Sequence, residues 1–124
     1  MPQTYRALVV EDDDLNYKLM RTILRSLPLE MINASTGAEA VAFLKQHIPD
    51  LIFLDINLPD MHGWEILDFF KNDARLSRTR IIVLTAHKEP VHRLIGSLQP
   101  IAAYMNKPVQ SDELIRQVRQ LLNL

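Results

Sequence analysis

The chain has 124 residues, a length that suits one compact domain with a buried core and is too short for two. Its 14 basic and 15 acidic residues leave a formal net charge of −1, so the composition does not favour nucleic acid or an anionic membrane as a partner. The lack of cysteine excludes disulfide bonds and thiolate metal sites. No signal peptide and no bilayer-spanning run of ~20 apolar residues is found, so we expect a soluble cytoplasmic protein.

Five short apolar runs, several of them rich in β-branched residues, predict buried β-strands. In chain order they are residues 7–10, 30–34, 51–54, 81–84 and 101–105. The second run is the weakest, and we place it near an edge of the sheet. The third run is apolar at every position, which is typical of a strand that is covered on both faces of a parallel sheet.

Five amphipathic segments follow these runs and predict helices. The first is expected to end at Pro28 and to turn one apolar stripe toward the sheet, made of Leu15, Leu19, Met20, Ile23, Leu24 and Leu27. The other helices are expected to begin at Thr36-Gly37, after Gly63, at Pro90 and at Ser111. Ser111 is the predicted N-cap of the last helix, and residues 72–80 are predicted to form a surface loop.

The alternation of five strands and five helices predicts an α/β fold. Right-handed crossovers place such strands in one parallel, doubly wound sheet with helices on both faces. No repeat, low-complexity segment or linker interrupts the pattern, so we expect one domain. In this architecture the carboxyl ends of the strands meet at one edge of the sheet, where open α/β proteins carry their functional sites.

Reactive side chains follow four of the predicted strands. Glu11 and Asp12 come directly after the first, Asp55 after the third, Thr85 after the fourth and Lys107 shortly after the fifth. A single strand-end threonine or lysine means little, since most such residues are structural or solvated. Their joint placement at one sheet edge indicates a functional site.

The acidic run at residues 11–14 leaves the exact pair of site carboxylates open by one residue. The helix dipole explains Asp13 and Asp14 as residues that begin the first helix. Glu11 and Asp12 directly follow the strand, so we assign them to the site, although Asp13 could replace one of them.

These residue types suit magnesium-assisted phosphoryl transfer. Three converging carboxylates form a hard-oxygen site of the kind that Mg²⁺ prefers. An aspartate carboxylate can attack phosphorus and form an acyl phosphate. A lysine ammonium can pair with a phosphoryl oxygen, and a threonine hydroxyl can donate a hydrogen bond to another.

Four motifs make the chain resemble, from end to end, the receiver domains of two-component response regulators. They are Val9-Val10-Glu11-Asp12, Asp55-Ile56-Asn57-Leu58-Pro59-Asp60-Met61-His62-Gly63, Leu84-Thr85-Ala86 and Tyr104-Met105-Asn106-Lys107-Pro108. The resemblance implies a flavodoxin-like, five-stranded parallel sheet of order 2-1-3-4-5 and a phosphorylatable signalling switch. It also implies that residues 1–124 are a receiver domain without an effector domain.

The resemblance further implies a role for each matching residue. Asp55 would accept the phosphoryl group, and Lys107 would pair first with its carboxylate and then with that group. Asp12 would bind Mg²⁺ directly, with Glu11 assisting through water. Asp55 and the backbone carbonyl of Asn57 would complete the metal ligands.

The same resemblance implies the partners and the switch. The phosphoryl donor would be a phosphohistidine on a sensor histidine kinase or a histidine phosphotransfer protein. Thr85 would move to hydrogen-bond the phosphoryl group, and Tyr104 would turn inward behind it. The face formed by the helix at 91–98, the fifth strand and the last helix would then change shape. It would control a downstream protein target, or the domain would pass its phosphoryl group on in a relay, acting as a monomer or a phosphorylation-dependent dimer.

Two positions depart from the usual family pattern, and a third is one that tunes the phosphoryl lifetime. His62 stands where an acid is common, and we expect little effect. Pro100 lies where a glycine-containing turn is common, and because proline cannot adopt positive φ, this turn must be built differently. His87 lies at a position that tunes the phosphoryl lifetime. It either covers the phosphoryl group or is a solvated loop residue.

Two other functions compete with the switch. A small phosphohydrolase of the haloacid-dehalogenase type also uses a strand-end aspartate, Mg²⁺, a threonine and a lysine. It requires a second aspartate where this chain has Asn57, and its acid pair follows the nucleophile instead of preceding it. A pseudo-receiver that binds partners without phosphate is the other alternative. We favour the switch, which is not an enzyme beyond phosphorylation and dephosphorylation of its own Asp55.

Overall fold

The computed structural model describes residues 3–56, 58–61, 63–86 and 101–124. Five parallel strands form one sheet in the order β2-β1-β3-β4-β5. The strands are β1 (Tyr5–Val10), β2 (Leu29–Ala34), β3 (Leu51–Asp55), β4 (Arg80–Thr85) and β5 (Ala103–Asn106). The predicted α/β fold, its strand order and the edge position of β2 are therefore confirmed.

Four α-helices and one short 3₁₀ helix lie in the described part of the chain. They are α1 (Asp14–Ile23), α2 (Gly37–Gln46), α3 (Gly63–Lys71), the 3₁₀ helix Ala74–Leu76 and α4 (Ser111–Leu122). The helix predicted at 91–98 and the turn at Pro100 lie outside the described residues. Within the described ranges, no helix has the length and apolar character needed to cross a bilayer.

The sheet carries a hydrophobic layer on each face because side chains alternate along each strand. Ala7 and Phe53 belong to the layer that includes buried residues of α1 and α4. Leu8 and Leu54 belong to the opposite layer, which includes buried residues of α2 and α3. Every residue of β3 is buried, as its uninterrupted apolar run predicted for a central strand.

The buried face of α1 differs from its prediction. Leu15 and Leu19 are 75% and 51% exposed, so the expectation that they face the sheet was wrong. Met20 and Leu24 are buried as predicted, and Tyr17 joins them on the buried face. The aromatic ring at position 17 thus occupies the inward position that the aliphatic pattern had assigned to Leu15 and Leu19.

Three local boundaries also differ from expectation. The first helix ends at Ile23 and does not continue to Pro28, because the backbone of the last residues turns toward β2. The N-cap of α4 is Gln110, without a side-chain cap bond, and Ser111 is already helical. The segment before β4 is not a plain surface loop, since its 3₁₀ helix buries Leu76 in the core.

Candidate functional site

Three carboxylates converge at the carboxyl edge of the sheet. Asp55 is the last residue of β3, Glu11 follows β1 directly, and both are buried, whereas Asp12 is exposed. One oxygen from each of the three lies within 4.8 Å of the others. The two strands are neighbours, and Val10 pairs with Leu54, so the sheet register brings these side chains together.

Asp13 has a different task. Its Oδ1 accepts hydrogen bonds from the backbone N–H groups of Leu15 at 2.9 Å and Asn16 at 3.4 Å, which makes it the N-cap of α1. The structure therefore groups Glu11 and Asp12, and not Asp13, with the carboxylate at the end of β3.

Lys107 bridges two of the three acids. Its Nζ donates to Glu11 Oε2 at 2.7 Å and to Asp55 Oδ2 at 3.0 Å. Its backbone N–H donates to the carbonyl of Thr85 at 2.8 Å, which continues the pairing of β5 with β4 beyond the end of the strand. This bond positions the base of the lysine at the sheet edge, and the side chain reaches across to β1 and β3.

Burial and the neighbouring charges shift the pKa values of Glu11 and Lys107. Burial raises the pKa of Glu11, and the nearby charge of Asp55 adds to this, while the hydrogen bond and charge of Lys107 act in the opposite direction. Burial by itself lowers the pKa of Lys107. Its hydrogen bonds to the two carboxylates and their charges together outweigh burial and raise that pKa. The lysine is therefore held in its charged form.

Asn33 on β2 supports the loop that carries the acid pair. Its Nδ2 donates to the carbonyls of Val9 at 3.0 Å and Glu11 at 3.2 Å. The N–H of Glu11 also donates to the carbonyl of Ala34 at 3.0 Å. Asn33 was not predicted as a site residue, because only the register of β2 against β1 brings it to this loop.

The two predicted switch residues lie on β4 and β5. Thr85 ends β4, is buried, and pairs in the sheet with Asn106. Tyr104 is partly buried and packs against the hydrophobic layer that includes α2 and α3. Asn57, His62 and His87 lie outside the described residues, so the metal carbonyl and the lifetime position stay predictions.

The loop after Asp55 is closed at its base. The N–H of Gly63 donates to the carbonyl of Ile56 at 2.7 Å. A Cβ at position 63 would lie 2.7 Å from Ile56 Cα and 2.9 Å from the Asp55 carbonyl oxygen, so glycine allows this close approach. Further along the loop, the carboxylate of Asp60 accepts hydrogen bonds from the beginning of α2. This contact was also not predicted from the sequence.

The donor set fits a hard divalent cation. The three converging side chains are all carboxylates, and oxygen ligands are the ones that Mg²⁺ prefers. One lysine balances only part of their negative charge. The raised pKa of Glu11 reflects the unfavourable burial of this charge, which a bound cation would offset. Glu11, Asp12 and Asp55 are therefore the residues that could hold the metal.

A cavity of about 290 Å³ opens beside Lys107. Glu11 and Lys107 supply its charged part, and Leu19, Met20 and Val109 supply apolar walls. A group that enters this cavity would meet the lysine and apolar side chains of α1 together.

Comparison with known proteins shows the family and the fold. The family model of the response regulator receiver domain matches residues 7–119. The polar-differentiation response regulator DivK of Brucella ovis is 31% identical over 119 residues, which cover 96% of this chain and 97% of DivK. The chain is also similar to the solved structure of the phosphorylated cyanobacterial phytochrome response regulator RcpA, with a TM-score of 0.83 at 27% identity, covering 96% of this chain and 91% of RcpA.

The Mn²⁺-bound form of the response regulator Rcp1 is a further similar structure, with a TM-score of 0.80 at 27% identity, covering 97% of this chain and 93% of Rcp1. The fold is that of a two-component signalling domain. The chain belongs to the response regulator receiver domain family.

Proposed function

We propose that this receiver domain is a switch in which Asp55 accepts a phosphoryl group from a phosphohistidine. The donor would be a sensor histidine kinase or a histidine phosphotransfer protein. The observation that supports this most directly is the contact of Lys107 Nζ with Asp55 Oδ2 at 3.0 Å, at a strand end that Glu11 and Asp12 also reach. A nucleophile, a cation and a metal-ligand set thus share one sheet edge.

The phosphoryl transfer requires no reactant besides the phosphohistidine and Asp55. A carboxylate oxygen of Asp55 attacks phosphorus, the new O–P bond forms as the P–N bond of the phosphohistidine breaks, and the imidazole nitrogen leaves with the electron pair. Lys107 is already at the acceptor carboxylate and can pair with the transferred phosphoryl oxygens. Attack of water later releases inorganic phosphate and restores the aspartate. The chemistry is limited to the domain's own side chain, so we do not class the protein as an enzyme.

Glu11, Asp12 and Asp55 would hold Mg²⁺, and the backbone carbonyl of Asn57 is the predicted fourth protein ligand. When bound, the ion would neutralise charge on the transferring phosphoryl group. The Mn²⁺-bound form of Rcp1 supports a divalent cation in a domain of this kind. In this chain the ion would also offset the repulsion among the three acids.

Phosphorylation would act by shifting a conformational equilibrium. A change from 1:99 to 99:1 requires about 5.5 kcal/mol of differential interaction. Charge-assisted hydrogen bonds from Lys107 and Thr85 to a dianionic phosphoryl group, at about 1.5–3 kcal/mol each, could supply most of it. Tyr104 lies on β5, next to the strand that Thr85 ends, and we propose that it moves inward with Thr85.

Exposed leucines on α1 are the expected contact for the phosphoryl donor. Leu15 and Leu19 are exposed on α1, and Leu19 lines the cavity beside Lys107. Exposed apolar side chains that border a polar site are a common mark of a protein interface. Output through β5, α4 and the predicted helix at 91–98, a role as monomer or phosphorylation-dependent dimer, and a cytoplasmic location stay predictions.

Intact-mass measurement tests this function. The protein would be incubated with acetyl phosphate in the presence of Mg²⁺ or of EDTA, beside Asp55→Asn. Asp14→Asn is the matched control, since Asp14 is an exposed acid that pairs with Lys18 away from the acceptor. We expect one phosphoryl group on wild type and on the control, dependent on Mg²⁺, and none on Asp55→Asn.

Other outcomes select the alternatives. No mass shift in a folded wild type would contradict the proposal and favour a pseudo-receiver that binds partners without phosphate. Steady turnover of p-nitrophenyl phosphate would favour a phosphohydrolase. A shift that persists in Asp55→Asn would place the acceptor elsewhere.

A further inference from the structure

One carboxylate ties the loop after β3 to the beginning of α2. Asp60 Oδ1 accepts a hydrogen bond from the N–H of Gly37 at 2.8 Å, and its Oδ2 accepts one from the N–H of Ala38 at 2.9 Å. These bonds lower the pKa of Asp60, so the carboxylate is charged at neutral pH. The side chain of Met61 lies directly over Gly37, where any Cβ would collide with it. The loop and the helix therefore meet through both polar and apolar contacts.

The helix has a local N-cap in addition to Asp60. Thr36 is its N-cap, and the Thr36 hydroxyl accepts from the N–H of Glu39 at 3.1 Å. The Glu39 carboxylate in turn accepts a hydrogen bond from the N–H of Ser35 at 2.9 Å. This arrangement resembles a capping box, except that the donor is the residue before the N-cap. Thr36 thus caps the N–H of Glu39 locally, whereas Asp60 binds the N–H groups of Gly37 and Ala38 from a distant segment.

The other end of α2 has a similar tie that is far from the acidic cluster. Arg75 donates from Nη2 to the carbonyl of Leu44 at 3.0 Å and from Nη1 to the carbonyl of Lys45 at 3.4 Å. Asp60 precedes α3 and Arg75 follows it, so both ends of α2 are bound by segments that flank α3. Arg75 is therefore a natural control for Asp60.

We propose that Asp60 is a positioning residue that holds the loop after Asp55 in the arrangement needed to bind the metal. This inference rests on the proposed function. The loop is closed at its base by the bond between Gly63 and Ile56, and it is anchored further along by Asp60. Asn57, the predicted carbonyl ligand, lies in the sequence between these two fixed points. A segment held at both ends has fewer conformations, which pre-organises its carbonyl groups for a cation.

The proposal predicts a selective defect. Glu11 directly follows β1 and Asp55 ends β3, and Asp60 takes no part in the pairing of these two strands. Loss of the Asp60 bonds should therefore weaken Mg²⁺ binding while the acceptor and Lys107 keep their geometry. The rate of phosphorylation at saturating Mg²⁺ should change little, and the Mg²⁺ concentration that gives half the maximal rate should rise.

The experiment compares Asp60→Ala, Asp60→Asn and Arg75→Ala with wild type. Calorimetric titration with Mg²⁺ gives the dissociation constant, and intact-mass time courses with acetyl phosphate give the phosphorylation rate at several Mg²⁺ concentrations. We expect the constant to rise about tenfold in Asp60→Ala, the low end of the range for residues that support metal ligands. Asp60→Asn retains one acceptor oxygen and should fall between Asp60→Ala and wild type. The Mg²⁺ dissociation constant of Arg75→Ala should stay within about twofold of wild type, because the hydrogen bonds of Arg75 to the end of α2 are remote from the metal ligands.

The outcomes separate this proposal from the function on which it rests. An unchanged Mg²⁺ dissociation constant in Asp60→Ala would overturn the positioning role, even if phosphorylation is normal. An equal rise in Arg75→Ala would also overturn it, because the effect would then be a general loosening of α2. If wild type binds Mg²⁺ but takes no phosphoryl group, the proposed function fails, and the titrations still decide the role of Asp60.

Discussion

Replacement of Lys107 by methionine tests whether the lysine holds the acidic cluster together. Methionine is unbranched and similar in length, so the change removes the charge and both hydrogen bonds while it keeps most of the packing. The bonds that would be lost are those to Glu11 Oε2 at 2.7 Å and to Asp55 Oδ2 at 3.0 Å. Three carboxylates would then face one another without this cation.

Removal of one partner from a buried ion pair costs about 3–5 kcal/mol. The side chain of Lys107 is 20% exposed, and Asp12 is exposed, so water can screen part of the remaining charge. We therefore expect the free energy of unfolding to fall by about 2–3 kcal/mol near neutral pH. An excess of Mg²⁺ should recover part of this loss, since the ion would take over the neutralising role.

The loss should shrink at lower pH. Burial raises the pKa of Glu11 in the folded protein, and Lys107 opposes this rise. A carboxyl with a raised folded pKa contributes stability that is present below its unfolded pKa and is lost as the pH rises through the folded pKa. Without Lys107 the folded pKa rises further, so more stability is lost between acid and neutral pH. The difference from wild type is thus largest near neutrality.

Urea unfolding followed by circular dichroism, in EDTA, near neutral pH and at about pH 4, measures this difference. Lys71→Met is the matched control, because the Lys71–Asp68 pair is 3.8 Å apart with side chains that are 48% and 64% exposed. Lys71→Met should lower the free energy of unfolding by no more than about 0.5 kcal/mol. A Lys107→Met loss that equals the control, or that is the same at both pH values, would refute the reasoning.

Three further predictions concern the frame of the site. Asp13→Ala removes the N-cap of α1 and should lower the free energy of unfolding in urea by about 1 kcal/mol. The Mg²⁺ affinity measured by calorimetry should not change, and weaker Mg²⁺ binding would place Asp13 among the ligands. Leu24→Ala should lower the free energy of unfolding by about 2–5 kcal/mol, and Leu15→Ala should lower it by less than about 0.5 kcal/mol. Equal losses would contradict the buried face assigned to α1. Gly63→Ala should lower the free energy of unfolding by about 1–3 kcal/mol in the same assay, because the new Cβ would lie 2.7 Å from Ile56 Cα. An unchanged urea midpoint would show that the loop shifts to accommodate the Cβ.

The sheet and the position of its site were predictable from sequence because they depend on local patterns. The run from Leu51 to Leu54 is apolar at each position, and only a strand covered on both faces accommodates it. Parallel strands place their carboxyl ends on one edge, so Asp55 was expected near the residues that follow β1 and β5. The convergence of Glu11, Asp12 and Asp55 confirms this geometric expectation.

Local pattern was insufficient where two solutions had the same periodicity. Beside Met20 and Leu24, which are buried as predicted, the helical pattern allowed either the leucines at 15 and 19 or Tyr17 to complete the buried face of α1. Packing against the sheet decided in favour of Tyr17, whose hydroxyl donates to the carbonyl of Met31 on β2. Similarly, Asp13 and Asp12 are adjacent acids in the sequence, and only the start of α1 made one a cap and left the other in the cluster.

The sequence by itself determined the α/β architecture, the family and the set of residues at the sheet edge, because these follow from periodicity and from motifs that are local along the chain. Tertiary structure alone decided the contacts between distant segments. Lys107 reaches Glu11, Asn33 holds the loop after β1, and Asp60 binds the beginning of α2. Such contacts depend on strand register and loop path, which are set by the packing of the whole domain and leave no periodic signal in the sequence.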